Sequence, residues 1–235
     1  MSDHGANGTI TKMQNMVANP SALGLFGLAM VTLVASSQKL GFTEGTSLII
    51  PWVIFLGAGA QLVASINDSK LNNAFGATAF GGYAFFWLAV GMTWMIQNGI
   101  FGETMAANAD IKQLGIAFVG YLIFSLYMTV GALTTNKVLF IIFVLIDFLF
   151  LGLSFSVLGV AKETMHMVAA VAELLIALAS FYGSAAVLLN GQFGRNVLPQ
   201  GKPIITNLSV VATEKNKNIL IRQNYLRESN TDVSA

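Results

Sequence analysis

Asn19-Pro20-Ser21-Ala22-Leu23-Gly24-Leu25-Phe26-Gly27-Leu28-Ala29-Met30-Val31-Thr32 marks the point where a polar N-terminal segment gives way to an unbroken apolar run. Asparagine is a good N-cap, and proline at the first helical position gives up an N–H that would have been unpaired in any case. The stretch therefore starts a helix, and that helix is apolar on every side. Its small residues Gly24, Gly27 and Ala29 let another backbone, or a solute, come close.

The same change recurs along the chain. Of 235 residues, 55% are hydrophobic and only 10% are charged, whereas ordinary soluble domains carry roughly 25% charge. Apolar runs of about 18 residues or more are long enough to cross some 30 Å of hydrocarbon. The fold class is an all-α polytopic membrane protein. With no cysteine, disulfides, thiolate chemistry and thiolate-held metals are excluded. A net charge of +1 gives no basis for nucleic acid as a partner; the lipid bilayer is the expected surrounding.

Six spans are expected, over residues 20–38, 48–66, 74–96, 114–133, 138–160 and 167–189, joined by short connections that hold nearly all the charges. Lys12, Lys70, Lys137, Arg195 and Lys202 fall on one side. Lys39, Lys112 and Lys162 fall on the other, with Glu44, Glu103, Asp110 and Glu163. The positive-inside rule places both termini in the cytoplasm. Residues 1–19 form a polar cytoplasmic segment without the apolar core of a cleavable signal, residues 20–190 the transmembrane domain, and residues 191–235 a cytoplasmic tail. In that tail Gly191, Gly194, Pro199, Gly201 and Pro203 are expected to break any helix, and 218–227 has the pattern of a short amphipathic surface helix.

Three separated blocks carry a family resemblance. Asn19-Pro20-Ser21-Ala22-Leu23-Gly24-Leu25 resembles the N-P-A-P-L-G-L signature of the acetate uptake transporter family, the bacterial succinate–acetate permeases and their archaeal and fungal relatives. Asn73-Ala74-Phe75-Gly76-Ala77-Thr78-Ala79-Phe80, with Tyr83 and Phe86-Trp87, resembles the third-helix block of that family. Phe193-Gly194-Arg195-Asn196-Val197-Leu198-Pro199 is similar to its closing F-G-R-x-V-L-P motif. The second proline of the signature is Ala22 here. The resemblance covers about residues 15–200 and implies uptake of acetate and similar small monocarboxylates, six helices around a central pore in each subunit, assembly into a hexamer, and a cell-membrane location.

Depth counting proposes which residues line a path. Leu28, Tyr83 and Ile146 each lie eight or nine residues from the cytoplasmic end of their helix, about 12 to 14 Å at 1.5 Å per residue. Ser180, counted back from the end of the sixth span, falls at the same level. Aligned block by block, Leu28, Tyr83 and Ile146 match the apolar and tyrosine constriction of the family, with leucine at 28 for the more usual phenylalanine and isoleucine at 146 where leucine is common. Ordinary helix packing is the alternative for Leu28 and Ile146. The Tyr83 hydroxyl is expected to be the main donor to a carboxylate at this level. Nearer the cytoplasm, the Gln61 amide and the helix N-terminus at Asn19 form a vestibule that can donate to an anion without a lysine. An interhelical hydrogen bond is the alternative for Gln61.

Asp147 and Glu173 are ionisable residues inside the expected hydrocarbon, where an acid costs about 2.5 to 3.5 kcal/mol or more. Counted depths of about 14 and 24 Å from the inner face are too different for a shared proton. Either residue can relay the proton that accompanies the substrate, sit at a subunit interface, or make a local bond within the subunit. His166, beside Lys162 and Glu163, reads as a solvated helix-end residue or a sensor of external pH. No metal-ligand spacing, nucleophile–base set, phosphate loop or cofactor motif is present, so no catalysis, metal or cofactor is expected. Proton-linked or channel-like acetate transport is the leading function. The alternatives are a passive channel for a neutral solute such as urea, and a non-transporting sensor or assembly protein.

Overall fold

A computed structural model of the protein describes residues 18–206. Lys12, Lys215, Lys217 and the amphipathic segment 218–227 with its Arg222 and Arg227 lie outside the described residues. Among the described residues, six helices are long and apolar enough to cross a membrane: α1 Ser21–Lys39, α2 Ile50–Lys70, α3 Ala74–Gln97, α4 Ile111–Ala132, α5 Lys137–Val157 and α6 Lys162–Phe193. A five-residue helix, Glu103–Ala107, lies between α3 and α4. Each span packs on the next in sequence and α6 packs on α1, so the six close into a ring. Phe55, Phe85, Ile116 and Val130 are more than half exposed on its outer face, the face an apolar surrounding solvates at no cost.

Local sequence explains where the helices start and stop. Asn19 Oδ1 accepts from the Ser21 N–H at 3.0 Å, Asn73 Oδ1 from Gly76 N–H at 3.1 Å, and Asn136 Oδ1 from Leu139 N–H at 2.9 Å. Each therefore satisfies one of the donors that a helix N-terminus leaves open. α2 opens with Pro51 in its first turn and then runs as a π-helix over Val53–Ala60. That widened stretch holds Gly57-Ala58-Gly59 and is invisible to hydropathy, which reads one uniform helix there.

Two expectations are corrected. Gly191 does not break the last helix, which continues to Phe193 and ends at Gly194 with φ +60°, a left-handed C-terminal cap. The polar, glycine- and proline-rich composition of the tail predicts loose order, yet as far as residue 206 the chain is held by specific hydrogen bonds. Asn190 Oδ1 accepts from Val197 and Leu198 N–H, and its amide donates to Leu198 O. The Tyr182 hydroxyl donates to Pro199 O at 2.8 Å. Ile204 and Ile205 N–H both donate to Leu133 O, just past the end of α4. The closing motif is thus a strap folded back across one end of the ring.

Close backbone approach closes the ring. A Cβ at Gly152 in α5 would lie 2.6 Å from Met165 O and 2.7 Å from Ala169 N, backbone atoms of α6 that cannot rotate away. Gly120 in α4 has nothing within 4 Å of such a Cβ. Gly152→Val should therefore destabilise the detergent-solubilised protein by about 1 to 3 kcal/mol through overpacking. Gly120→Ala should leave stability unchanged or raise it by up to about 1 kcal/mol. Thermal melting of the two variants checks the contrast, and equal shifts would remove the case for α5–α6 contact at Gly152.

Candidate functional site

Three of the capped N-termini, those of α1, α3 and α5, open into one cavity of about 390 Å³, within the usual range of ligand pockets. Asn19, Ser21, Asn73, Gly76 and Asn136 line its mouth, with Gln200 of the strap. Among its lining residues none is an acid, a lysine, an arginine or a histidine. The positive ends of three helix dipoles supply the field instead. At the same end of the ring, the Leu133 carbonyl that follows α4 is occupied by two N–H groups of the strap, which blunts the opposing negative end.

The same cavity is also lined by Leu28, Tyr83 and Ile146. The structure therefore brings these three together, and Asn19 and Gln61 with them. Ser180 is not among the lining residues. It is fully buried, its hydroxyl has no partner, and α6 presents Gly183 and Val187 to the cavity instead. Equal depth along a helix is only half of the condition, since the residue must also lie on the inward face.

Two donors are not where the sequence placed them. The Tyr83 hydroxyl donates to Ser125 Oγ of α4 at 3.3 Å, so its proton is engaged across the ring wall. The Gln61 amide donates to Gly57 O, in the π-helical stretch, at 2.8 Å. What remains free at Gln61, a fully buried residue, is its carbonyl oxygen, an acceptor where a donor was expected. α2 also runs on to Lys70, past the expected end of the span at residue 66, which puts Gln61 about 13 Å from the helix end at 1.5 Å per residue, deeper than that span implies.

A second cavity of about 200 Å³ opens at the opposite end, and its inner wall includes Phe86, Trp87, Phe118 and Leu149. Tyr83 to Phe86 on α3 and Ile146 to Leu149 on α5 are each about one helical turn, some 5 Å. The barrier between the cavities is therefore thin. It is filled by rings: Phe150, 1% exposed, stacks on Tyr83 at 6.3 Å and meets Phe86 edge-on at 5.0 Å. Such aromatic pairs contribute about 0.5 to 1.5 kcal/mol each beyond area burial.

The two membrane acids do not meet. Asp147 Oδ2 accepts from Thr129 Oγ1 of α4 at 2.7 Å, and Asp147 lines neither cavity. Glu173 Oε2 accepts from Lys39 Nζ at 2.9 Å and lines the second cavity together with His166. Sequence reasoning set Lys39 among loop charges. The signal it carried is that Cβ atoms tilt toward a helix N-terminus, so a lysine at the C-terminal end of α1 is aimed back into the bundle.

Sequence reasoning also passed over Asp68. It is 1% exposed, and its Oδ1 accepts from Asn73 Nδ2 at 2.9 Å. This bond holds the cap of α3 at the cavity mouth.

A ring of six apolar helices with a cavity at each end and one thin barrier between them defines a membrane protein with an axial path for a small solute. Residues 5–201 match the GPR1/FUN34/yaaH family, and the chain belongs to it. It is 32% identical over 186 residues to the succinate-acetate/proton symporter SatP of Escherichia coli K12, covering 79% of this chain and 96% of that one. The acetate permease A of Emericella nidulans is 31% identical over 150 residues, 61% of this chain and 49% of that protein. The solved structure of the bacterial acetate channel SatP superposes with a TM-score of 0.73 at 30% identity, over 79% of this chain and 99% of that one.

Asn73→Ala removes both a helix cap and the partner of a buried acid. It should cost about 0.5 to 2 kcal/mol for the cap and more for the stranded Asp68. Combining it with Asp68→Ala should recover part of that loss. A double-mutant cycle by thermal melting checks this, with an interaction energy of at least about 0.5 kcal/mol expected.

Proposed function

We propose that the protein is a permease for acetate and related small monocarboxylates, which pass between the two cavities through the ring formed by Leu28, Tyr83 and Ile146. The observation that carries this reading is the first cavity: three capped helix N-termini face a space whose lining holds no acid, lysine, arginine or histidine and whose floor is apolar. Helix dipoles attract a carboxylate without holding it tightly, and weak binding lets a permeating ion leave. A carboxyl group with pKa about 4 is ionised at pH 7, so charge compensation is needed at the mouth. The names of the relatives, an acetate permease, an acetate channel and a succinate-acetate/proton symporter, support the same substrate class.

The remaining assignments belong to this reading. The surplus of lysine and arginine at the Asn19 end places that end, and the segments 1–19 and 191–235, in the cytoplasm. The bilayer is the cell membrane, and the family resemblance supplies a homo-oligomer, a hexamer. Proton linkage rests with Glu173, which borders the path, and not with Asp147, which does not.

Labelled acetate uptake into proteoliposomes tests the function. Uptake that collapses with an uncoupler marks a proton-linked carrier, uptake that persists marks a channel, and urea permeation without acetate uptake would overturn the carboxylate reading. The ring should also set substrate size. Leu28→Ala should raise lactate uptake relative to acetate at least threefold and Leu28→Phe should lower it, because about one methylene in an apolar pocket changes discrimination by tenfold or more. An unchanged ratio in both would remove Leu28 from the path.

A further inference from the structure

The second cavity differs from the first in having charge built into it. Lys39 and Glu173 are 134 residues apart in sequence, yet Nζ and Oε2 are 2.9 Å apart. Their side chains are only 12% and 2% exposed. Neither belongs to the constriction, and an apolar pair of similar volume would stabilise the bundle as well or better. A buried ion pair retained against that alternative, on the wall of a cavity, points to use rather than to stability.

We propose that Lys39 and Glu173 form a second carboxylate-binding site, at the end of the path opposite Asn19, that takes up one anion together with one proton. The inference rests on the permease reading for the identity of its ligand. Lysine has three N–H donors. One goes to Glu173 Oε2, and among the described residues the other two have no partner. Glu173 Oε1 likewise has no partner among the described residues. A carboxylate entering the cavity can accept the free N–H groups of Lys39, and a proton can settle on the Glu173 carboxyl. No bond beyond the O–H is made or broken.

Charge balance forces the two events together. The empty pair is neutral. An anion alone leaves the site with one net negative charge, and a proton alone leaves one net positive charge, both costly away from water. Anion and proton together restore neutrality. The loaded and empty states are therefore the stable ones, and each ligand raises affinity for the other by the same factor, as linkage requires.

Other charged groups near the pair are few. His166, on the same helix and about two turns nearer the mouth, is the other titratable residue of the lining. α1 adds Gln38, α3 adds Trp87, Trp94 and Gln97, α4 adds Leu114 and Phe118, and α5 adds Leu149 and Leu153, none of them ionisable. His166→Gln serves as the control for its contribution.

The test uses the full-length protein in detergent, with sodium acetate as the probe. Proton uptake on acetate addition is followed in weak buffer, alongside the acetate Kd between pH 5 and 8. In the wild type, acetate binding should draw protons from solution, approaching one per acetate, with Kd falling by up to tenfold per unit drop in pH. Glu173→Gln should abolish the proton uptake and flatten the pH dependence, whereas His166→Gln should keep both.

Because Glu173→Gln strands a buried lysine, Lys39→Met/Glu173→Leu is made in parallel. This variant removes both charges and with them the second site, should melt no lower than the wild type, and should keep only the acetate binding of the first cavity, without proton uptake. Wild-type binding without proton uptake, or the same pH slope in either variant, overturns the coupled site. If acetate is transported but these results fail, the permease reading stands and the second site falls. If acetate binds with proton uptake but is not transported, the reverse holds.

Discussion

Closure of the ring, where the sixth helix returns to the first and leans on the fifth, is the contact on which the rest of the molecule depends. In hydrocarbon there is no gain from burying leucine against leucine, so helices associate where their backbones approach closely. Gly152 supplies that approach between α5 and α6, and Gly27 does so between α1 and the π-helical stretch of α2, where a Cβ would collide with Leu56 O and crowd Ala60. Ser184 Oγ adds a bond to Ala22 O at 2.7 Å, joining α6 to the first turn of α1. With the ring closed, the inward faces of six helices bound a shared axis. Without it, Leu28, Tyr83 and Ile146 would be unrelated positions on three helices.

The opposite side of the ring is held by different means. Between α3 and α4 the backbones stand further apart, and the space is taken by Tyr83, Phe86, Phe118, Tyr121 and Phe124. Tyr83 and Tyr121 also bond across this seam, to Ser125 and to Gly82 O. The aromatic seam is continuous with the barrier between the two cavities, because Phe150 of α5 packs into it. Structural support and barrier are thus the same side chains, which fixes the position of the narrowest point more firmly than a ring of aliphatic residues would.

The two ends of the path are electrostatically unlike. One end relies on backbone dipoles, with three asparagine caps presenting helix N-termini and with the C-terminal strap covering a competing carbonyl. The other end relies on a lysine and a glutamate that neutralise each other. A field made of dipoles is fixed, whereas one made of titratable charges responds to what binds, so the two cavities have different chemical capacities although they lie on one axis.

Much of this was legible in the chain itself. Apolar length gave the six spans because hydrocarbon thickness is a one-dimensional requirement that a run of residues meets or fails on its own. The asparagine cap at position 19 is equally local. Depth counting placed Leu28, Tyr83 and Ile146 at one level because helix rise is constant. It failed for Ser180, since facing is a matter of rotation about the axis, and for Gln61, since a π-helical stretch and a longer helix shift both its depth and its free atom. The Lys39–Glu173 and Asp68–Asn73 pairs, the engagement of the Tyr83 hydroxyl by Ser125 and the fold of the strap were decided by tertiary structure alone. Each depends on which side chains from distant segments meet inside a closed ring, and no property of one segment records who its neighbour across the ring is.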